Sequence, residues 1–142
     1  MVESVLTRSA DETHDLGKKL SAQLKKGVLV CLTGDLGAGK TTFVQGVGRG
    51  LGIDEALSSP TFVLVNEYCG RDLILFHAAL YRLENSESIE QLALSEYLQE
   101  GALIIEWGER WLSEWAPPDL TIQFDVVDET TRRITMRRGE KS

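Results

Sequence analysis

Apolar positions recur along this chain with two periods, one helical and one extended. Leu16, Leu20 and Leu24 repeat at i+4 behind the capping box Ser9-Ala-Asp-Glu12 and predict a helix lying on a sheet. Val28 to Leu32 is a short run rich in β-branched residues, bounded by turn formers, and reads as a buried strand. From Thr42 to Arg49 the pattern is helical again, with Phe43 and Val47 on one face, ending in the glycine-rich stretch Gly48 to Gly52. Phe62 to Tyr68 and Leu73 to His77 read as strands joined by the turn Cys69-Gly-Arg-Asp72, an antiparallel hairpin. Glu84 to Gln99 is helical in pattern, with Ser86 as cap and Ile89, Leu92 and Leu94 as apolar anchors. Ala102 to Glu106 is another buried strand, and Thr121 to Val126 with Arg132 to Arg137 form a second hairpin about Asp128-Glu-Thr. Ser4 to Thr7 is a short edge strand. Alternating strands and helices predict a three-layer α/β fold with a mixed parallel and antiparallel sheet. The 142 residues give room for a single domain, 1–142, with one core.

Between the predicted strand at Val28 and the helix at Thr42 runs GDLGAGKTT. It fits G-x-x-x-x-G-K-[ST], the P-loop, in the strand–loop–helix setting that motif requires. Gly34, Asp35, Leu36, Gly37, Ala38, Gly39, Lys40, Thr41 and Thr42 are therefore the candidate nucleotide-binding residues. Backbone N–H groups from Gly37 to Thr41 would face a β-phosphate, aided by the positive end of the following helix. Lys40 would bridge β- and γ-phosphates, and the Thr41 hydroxyl would ligate Mg²⁺.

Nucleotide hydrolysis also needs a carboxylate near the metal and the attacking water. Glu106 ends an otherwise apolar strand, the usual place for one, and is a candidate catalytic and metal-binding residue. Trp107 follows it and is expected to pack over the site or nucleotide, or else in the core or on the surface. His77 closes its strand in a similar way and reads as structural. Ser58-Ser-Pro-Thr61-Phe62 is the candidate mobile segment, in which the Thr61 hydroxyl could complete the metal's shell when nucleotide is bound.

The net charge of −7 argues against tight, unaided binding to nucleic acid. The basic pairs Lys18-Lys19, Lys25-Lys26, Arg132-Arg133 and Arg137-Arg138 read as solvated faces and edge-strand protection. Cys31 and Cys69 lack disulfide or zinc spacing, and Cys31 is expected to pack as a small hydrophobe. With no signal-peptide pattern and no apolar run near the ~18 residues of a membrane span, the expectation is a soluble, cytoplasmic protein with no membrane partner.

GDLGAGKTT at Gly34, SSPTFVLVNEY from Ser58, HAALYRL from His77 and IIEWGER from Ile104 together resemble the TsaE (YjeE) family. The resemblance spans Val28 to about Trp111, and P-T-F, H-x-x-x-Y-R and E-W in this order are far more specific than the loop alone. Its members are small P-loop ATPases of bacterial tRNA threonylcarbamoyladenosine synthesis. The resemblance implies a P-loop NTPase fold, ATP and Mg²⁺ as cofactors at Lys40 and Thr41, a switch-like role for Thr61, and Glu106 near the metal or water with Trp107 beside it. It also implies TsaB and TsaD as protein partners, with tRNA met only through their complex and ATP turnover resetting that complex. One position departs: the family pattern is H-x-D-L-Y-R, whereas this chain has Ala79 in place of the aspartate. A methyl group cannot ligate Mg²⁺ or accept a proton. Losing one charge-assisted hydrogen bond costs about 1.5–3 kcal/mol, which would slow turnover roughly ten- to a hundred-fold and leave ATP binding in place. Two other readings are a nucleotide-gated binding module that does not hydrolyse and a small-molecule phosphotransferase. The absence of an N-K-x-D element speaks against a GTPase.

Overall fold

A computed structural model of the chain describes residues 2–34, 38–54, 65–79, 94–106 and 118–139. Seven strands form one sheet: β1 (Val2–Thr7), β2 (Leu29–Gly34), β3 (Val65–Cys69), β4 (Ile74–Ala79), β5 (Ala102–Glu106), β6 (Leu120–Val126) and β7 (Arg132–Arg138). Their spatial order is β1-β7-β6-β2-β5-β4-β3. The four central strands β6, β2, β5 and β4 run parallel, and β1–β7, β6–β7 and β3–β4 pair antiparallel. The mixed sheet and both hairpins are as the sequence predicts. β2 lies at the switch point, with later strands added on either side of it, which is where ligands of open α/β sheets bind.

Three helices are described: α1 (Ala10–Leu20), α2 (Lys40–Gly50) and α3 (Leu94–Glu100). Alternation along β2 divides the core. Val30 and Leu32 face Phe43, Val44 and Val47 of α2 together with Leu20 of α1. Leu29 and Cys31 face the other way, onto the side where Tyr97 and Leu98 of α3 pack. These are the three layers. Burial pushes the Cys31 thiol up to about 12, consistent with a cysteine packed as a hydrophobe.

The Ser9 hydroxyl accepts from Glu12 N at 3.1 Å, so the predicted cap forms, although Glu12 Oε1 reaches Arg8 N rather than Ser9 N. Helix α1 does not continue to Leu24. The Ser21 hydroxyl donates to the Lys18 carbonyl, a short 3-10 turn follows over Ser21–Gln23, and Leu24 turns extended while still buried. A residue on extended backbone thus completes a helical-looking stripe.

Several boundaries differ from the sequence reading. Val28 is held in a turn by its N–H to the Lys25 carbonyl, and β2 runs on through Thr33 and Gly34, paired with Gln123 and Phe124 of β6. Cys69 belongs to β3, and the turn closes at Gly70, whose N–H meets the Leu73 carbonyl. β4 extends to Ala79, so His77 lies inside a strand and not at its end. Of the predicted helix 84–99, the part before Leu94 lies outside the described residues, as do Phe62 to Leu64. The edge-protection reading fails for Arg132-Arg133 and Arg137-Arg138, because β7 is flanked by β1 and β6. Lys18 and Lys19 instead occupy the last turn of α1, where cations complement the helix dipole.

Candidate functional site

Gly34 is both the last residue of β2 and the first of the motif, so the loop leaves the sheet at its centre. Six residues later α2 begins at Lys40, with Gly39 as its N-cap at φ 103°. That left-handed conformation is disfavoured for any residue bearing a β-carbon, so the loop's second motif glycine is required by backbone geometry. The first helical hydrogen bond closes from Phe43 N to Gly39 O at 2.9 Å.

Lys40 is only 4% exposed, and its Nζ donates to the Gly34 carbonyl at 2.6 Å. A buried ammonium requires polar partners, and this one ties the end of the loop back to its beginning. Thr41, next along, is exposed at the first turn of α2, and Thr42 is half-buried. Ala38 is fully buried beneath the turn. The site's geometry thus joins Gly34, Ala38, Gly39, Lys40, Thr41 and Thr42. Asp35, Leu36, Gly37, Thr61 and Trp107 lie outside the described residues.

Glu106 is the last residue of β5 and is 3% exposed. Its register partner on β2 is Leu32, two residues before Gly34. With about 3.3 Å per residue along a strand and about 4.8 Å between strands, its Cα lies about 8 Å from that of Gly34. Glu106 shares a face with Ile104, the face on which α2 packs. The carboxylate therefore belongs to the layer beneath the amino end of α2. On the other side of β5, Ala79 is the register partner of Glu106. Two acids near position 79 in the sequence are too far from Glu106 in the fold to stand in for an acid there. Exposed Glu67 pairs with Phe76, on the α3 face, and Asp72 sits in the β3–β4 turn at the opposite end of the strands. Glu84 lies outside the described residues.

His77 is 0% exposed, and its Nε2 lies 3.3 Å from Glu106 Oε1. The contact lacks hydrogen-bond alignment, and neither ring nitrogen has a hydrogen-bond partner among the described residues. Leaving buried polar atoms unsatisfied costs about 1–3 kcal/mol.

A cleft of about 380 Å³ opens beside the loop's end, bordered by Gly39 and Thr42. Its far walls are Arg8, Ser9 and Thr13 from the β1–α1 junction and Glu129, Thr130 and Arg132 from the β6–β7 turn. The Thr13 hydroxyl is buried against that of Thr7 at 2.7 Å. None of these was singled out as a site residue from sequence. The only available signal is indirect: a pairing of the terminal strands β1 and β7, which carries Arg8 and Arg132 to the same end of the sheet as Gly39. Among the described residues no cluster of three or more His, Cys, Asp or Glu could hold a metal, and no helix is long and apolar enough to cross a membrane.

The sequence model of the family "Threonylcarbamoyl adenosine biosynthesis protein TsaE" matches residues 7–134. The tRNA threonylcarbamoyladenosine biosynthesis protein TsaE of Treponema pallidum is 41% identical over 132 residues, 92% of this chain and 97% of its own. That of Aquifex aeolicus is 35% identical over 140 residues, 97% and 98% of the two chains. The crystal structure of Bacillus subtilis YdiB superposes with a TM-score of 0.75 at 31% identity, covering 98% of this chain and 88% of that one.

Proposed function

The chain belongs to the TsaE family of tRNA threonylcarbamoyladenosine biosynthesis, and from that premise we propose that it binds ATP with Mg²⁺ at the loop between β2 and α2. In this reading it serves the modification as an ATPase-type accessory factor acting on a TsaB–TsaD partner pair, and it meets tRNA only through them. The observation that carries the nucleotide reading is the buried Lys40 ammonium held on the Gly34 carbonyl at the amino end of α2. A lysine so placed needs only a short movement to exchange a carbonyl oxygen for phosphate oxygens, and the helix end favours the same anion.

Thr41 and Glu106 are the residues that would hold Mg²⁺. Mg²⁺ usually keeps several waters and takes one or two protein ligands plus phosphate oxygens, so it needs no dedicated cage of carboxylates. When bound it would neutralise charge developing between the β- and γ-phosphates. Lys40 would bind the phosphates, and Glu106 would orient the metal's water or accept a proton. The cleft beside Gly39 and Thr42, bordered also by Arg8 and Arg132, would receive the base and ribose. In this proposal Thr61 would be the switch hydroxyl and Trp107 the ring packed on the nucleotide.

Calorimetry tests the cradle: Lys40→Ala should abolish Mg-ATP binding or weaken it severely, and unchanged affinity would refute the assignment. Ala79, opposite Glu106 in the sheet, favours a second reading, in which ATP occupancy gates partner docking and turnover is slow or absent.

A further inference from the structure

His77 has no role in the loop, yet it is fully buried in β4 with both ring nitrogens unsatisfied among the described residues. Its register neighbours are Asn66 on β3 and Ile104 on β5, so the ring is held in the sheet interior, and its Nε2 lies 3.3 Å from Glu106 Oε1. We propose that His77 is a positioning residue for Glu106, donating its Nε2–H to Oε1 and thereby fixing which way the carboxylate faces at the Mg-nucleotide site. The inference rests on the reading of Glu106 as a metal-site carboxylate.

Three considerations support it. The two atoms are already within ion-pair distance, and what is missing is alignment. Alignment needs only a turn of the glutamate's terminal torsion, whose distribution is broad. Both side chains are buried, at 0% and 3% exposure, so little water competes for a hydrogen bond between them. Ligands held in this way by a neighbouring hydrogen bond bind metal more tightly, and removing the neighbour typically costs about ten- to a hundred-fold in metal affinity.

The experiment uses the full chain and a fluorescent ADP analogue, titrated with and without Mg²⁺, for wild type, His77→Leu, His77→Gln and His77→Asn. The Gln amide nitrogen reaches the place of Nε2, whereas that of Asn reaches only the place of Nδ1. The expected result is a loss of about tenfold in apparent Mg²⁺ affinity for His77→Leu, with metal-free nucleotide affinity unchanged. Gln should restore most of that loss and Asn little. In a Glu106→Gln background the Leu effect should disappear. Equal behaviour of Gln and Asn would overturn the positioning role even if the Leu variant does not fold, and so would a Leu variant with wild-type Mg²⁺ dependence. Wild-type binding with no Mg²⁺ dependence would instead sink the metal-site reading of Glu106, and this proposal with it.

Discussion

The crossing of α1 and α2 is the packing feature that most directly sets where the phosphate loop sits, and Gly46→Ala tests it. A β-carbon built on Gly46 would lie 1.9 Å from the His14 carbonyl oxygen of α1, and one on Gly17 would lie 2.1 Å from the Phe43 carbonyl oxygen of α2. The two helices therefore meet backbone to backbone, each glycine receiving a carbonyl of the other. Real β-carbon contacts essentially never fall below 3.0 Å, so the substitution demands a local shift of about 1 Å. The obstacle is main chain and no rotamer can relieve it. Overpacking of this kind costs about 1–3 kcal/mol, and alanine returns up to about 1 kcal/mol through helix propensity. A net loss of about 1–2 kcal/mol follows, because parting the helices also loosens Phe43 and Val47, both fully buried. Urea denaturation reads it as a lowered midpoint with an unchanged slope. Since α2 carries Lys40 and Thr41 at its other end, Mg-ATP affinity should fall as well. A midpoint equal to or above wild type would mean that propensity dominates and that the crossing is not tight.

Three further outcomes are expected. Ala79→Asp should raise phosphate release from Mg-ATP roughly ten- to a hundred-fold with TsaB–TsaD present; if it does not, the aspartate has no catalytic role in this chain. A thiol reagent should label exposed Cys69 in the native protein and buried Cys31 only after unfolding. Because the folded state holds the Cys31 proton up to about 12 and the unfolded state only to about 9, stability should decline as pH rises between those values. The Asp128 carboxylate is held below its usual range by the backbone N–H of Thr130 and then by Thr131. Its contribution to the β6–β7 turn is present above the ordinary carboxylate range and lost as pH falls through its folded value. The midpoint gap between wild type and Asp128→Ala should therefore be visible at pH 7 and shrink in acid as the carboxylate takes up its proton.

How much of this was legible beforehand depends on the span of sequence over which each feature is encoded. The loop was legible because its signal is local: a buried apolar run, glycines at fixed spacing, and a lysine and threonine just ahead of a helical pattern. The strand-end position of Glu106 was legible because a carboxylate interrupts an apolar run there. The cleft was not, because Arg8 and Arg132 border it together only after β1 and β7 pair, and no local pattern in the chain reports that register. The place of His77 was misread for a related reason. Ala78 and Ala79 carry β4 onward without a β-branched or aromatic residue to announce it, so the strand seemed to stop at the histidine. That extension changes the meaning of the departure at position 79. Ala79 is opposite Glu106 in a parallel ladder, with Cα atoms about 4.8 Å apart. Two acids in that register would repel one another unless a cation lay between them, which is the charge pattern of a metal site. With alanine there, that strand pair contributes one carboxylate in place of two. The orientation of Glu106, and hence the buried imidazole 3.3 Å from it, then has more influence on whether a metal is held at all.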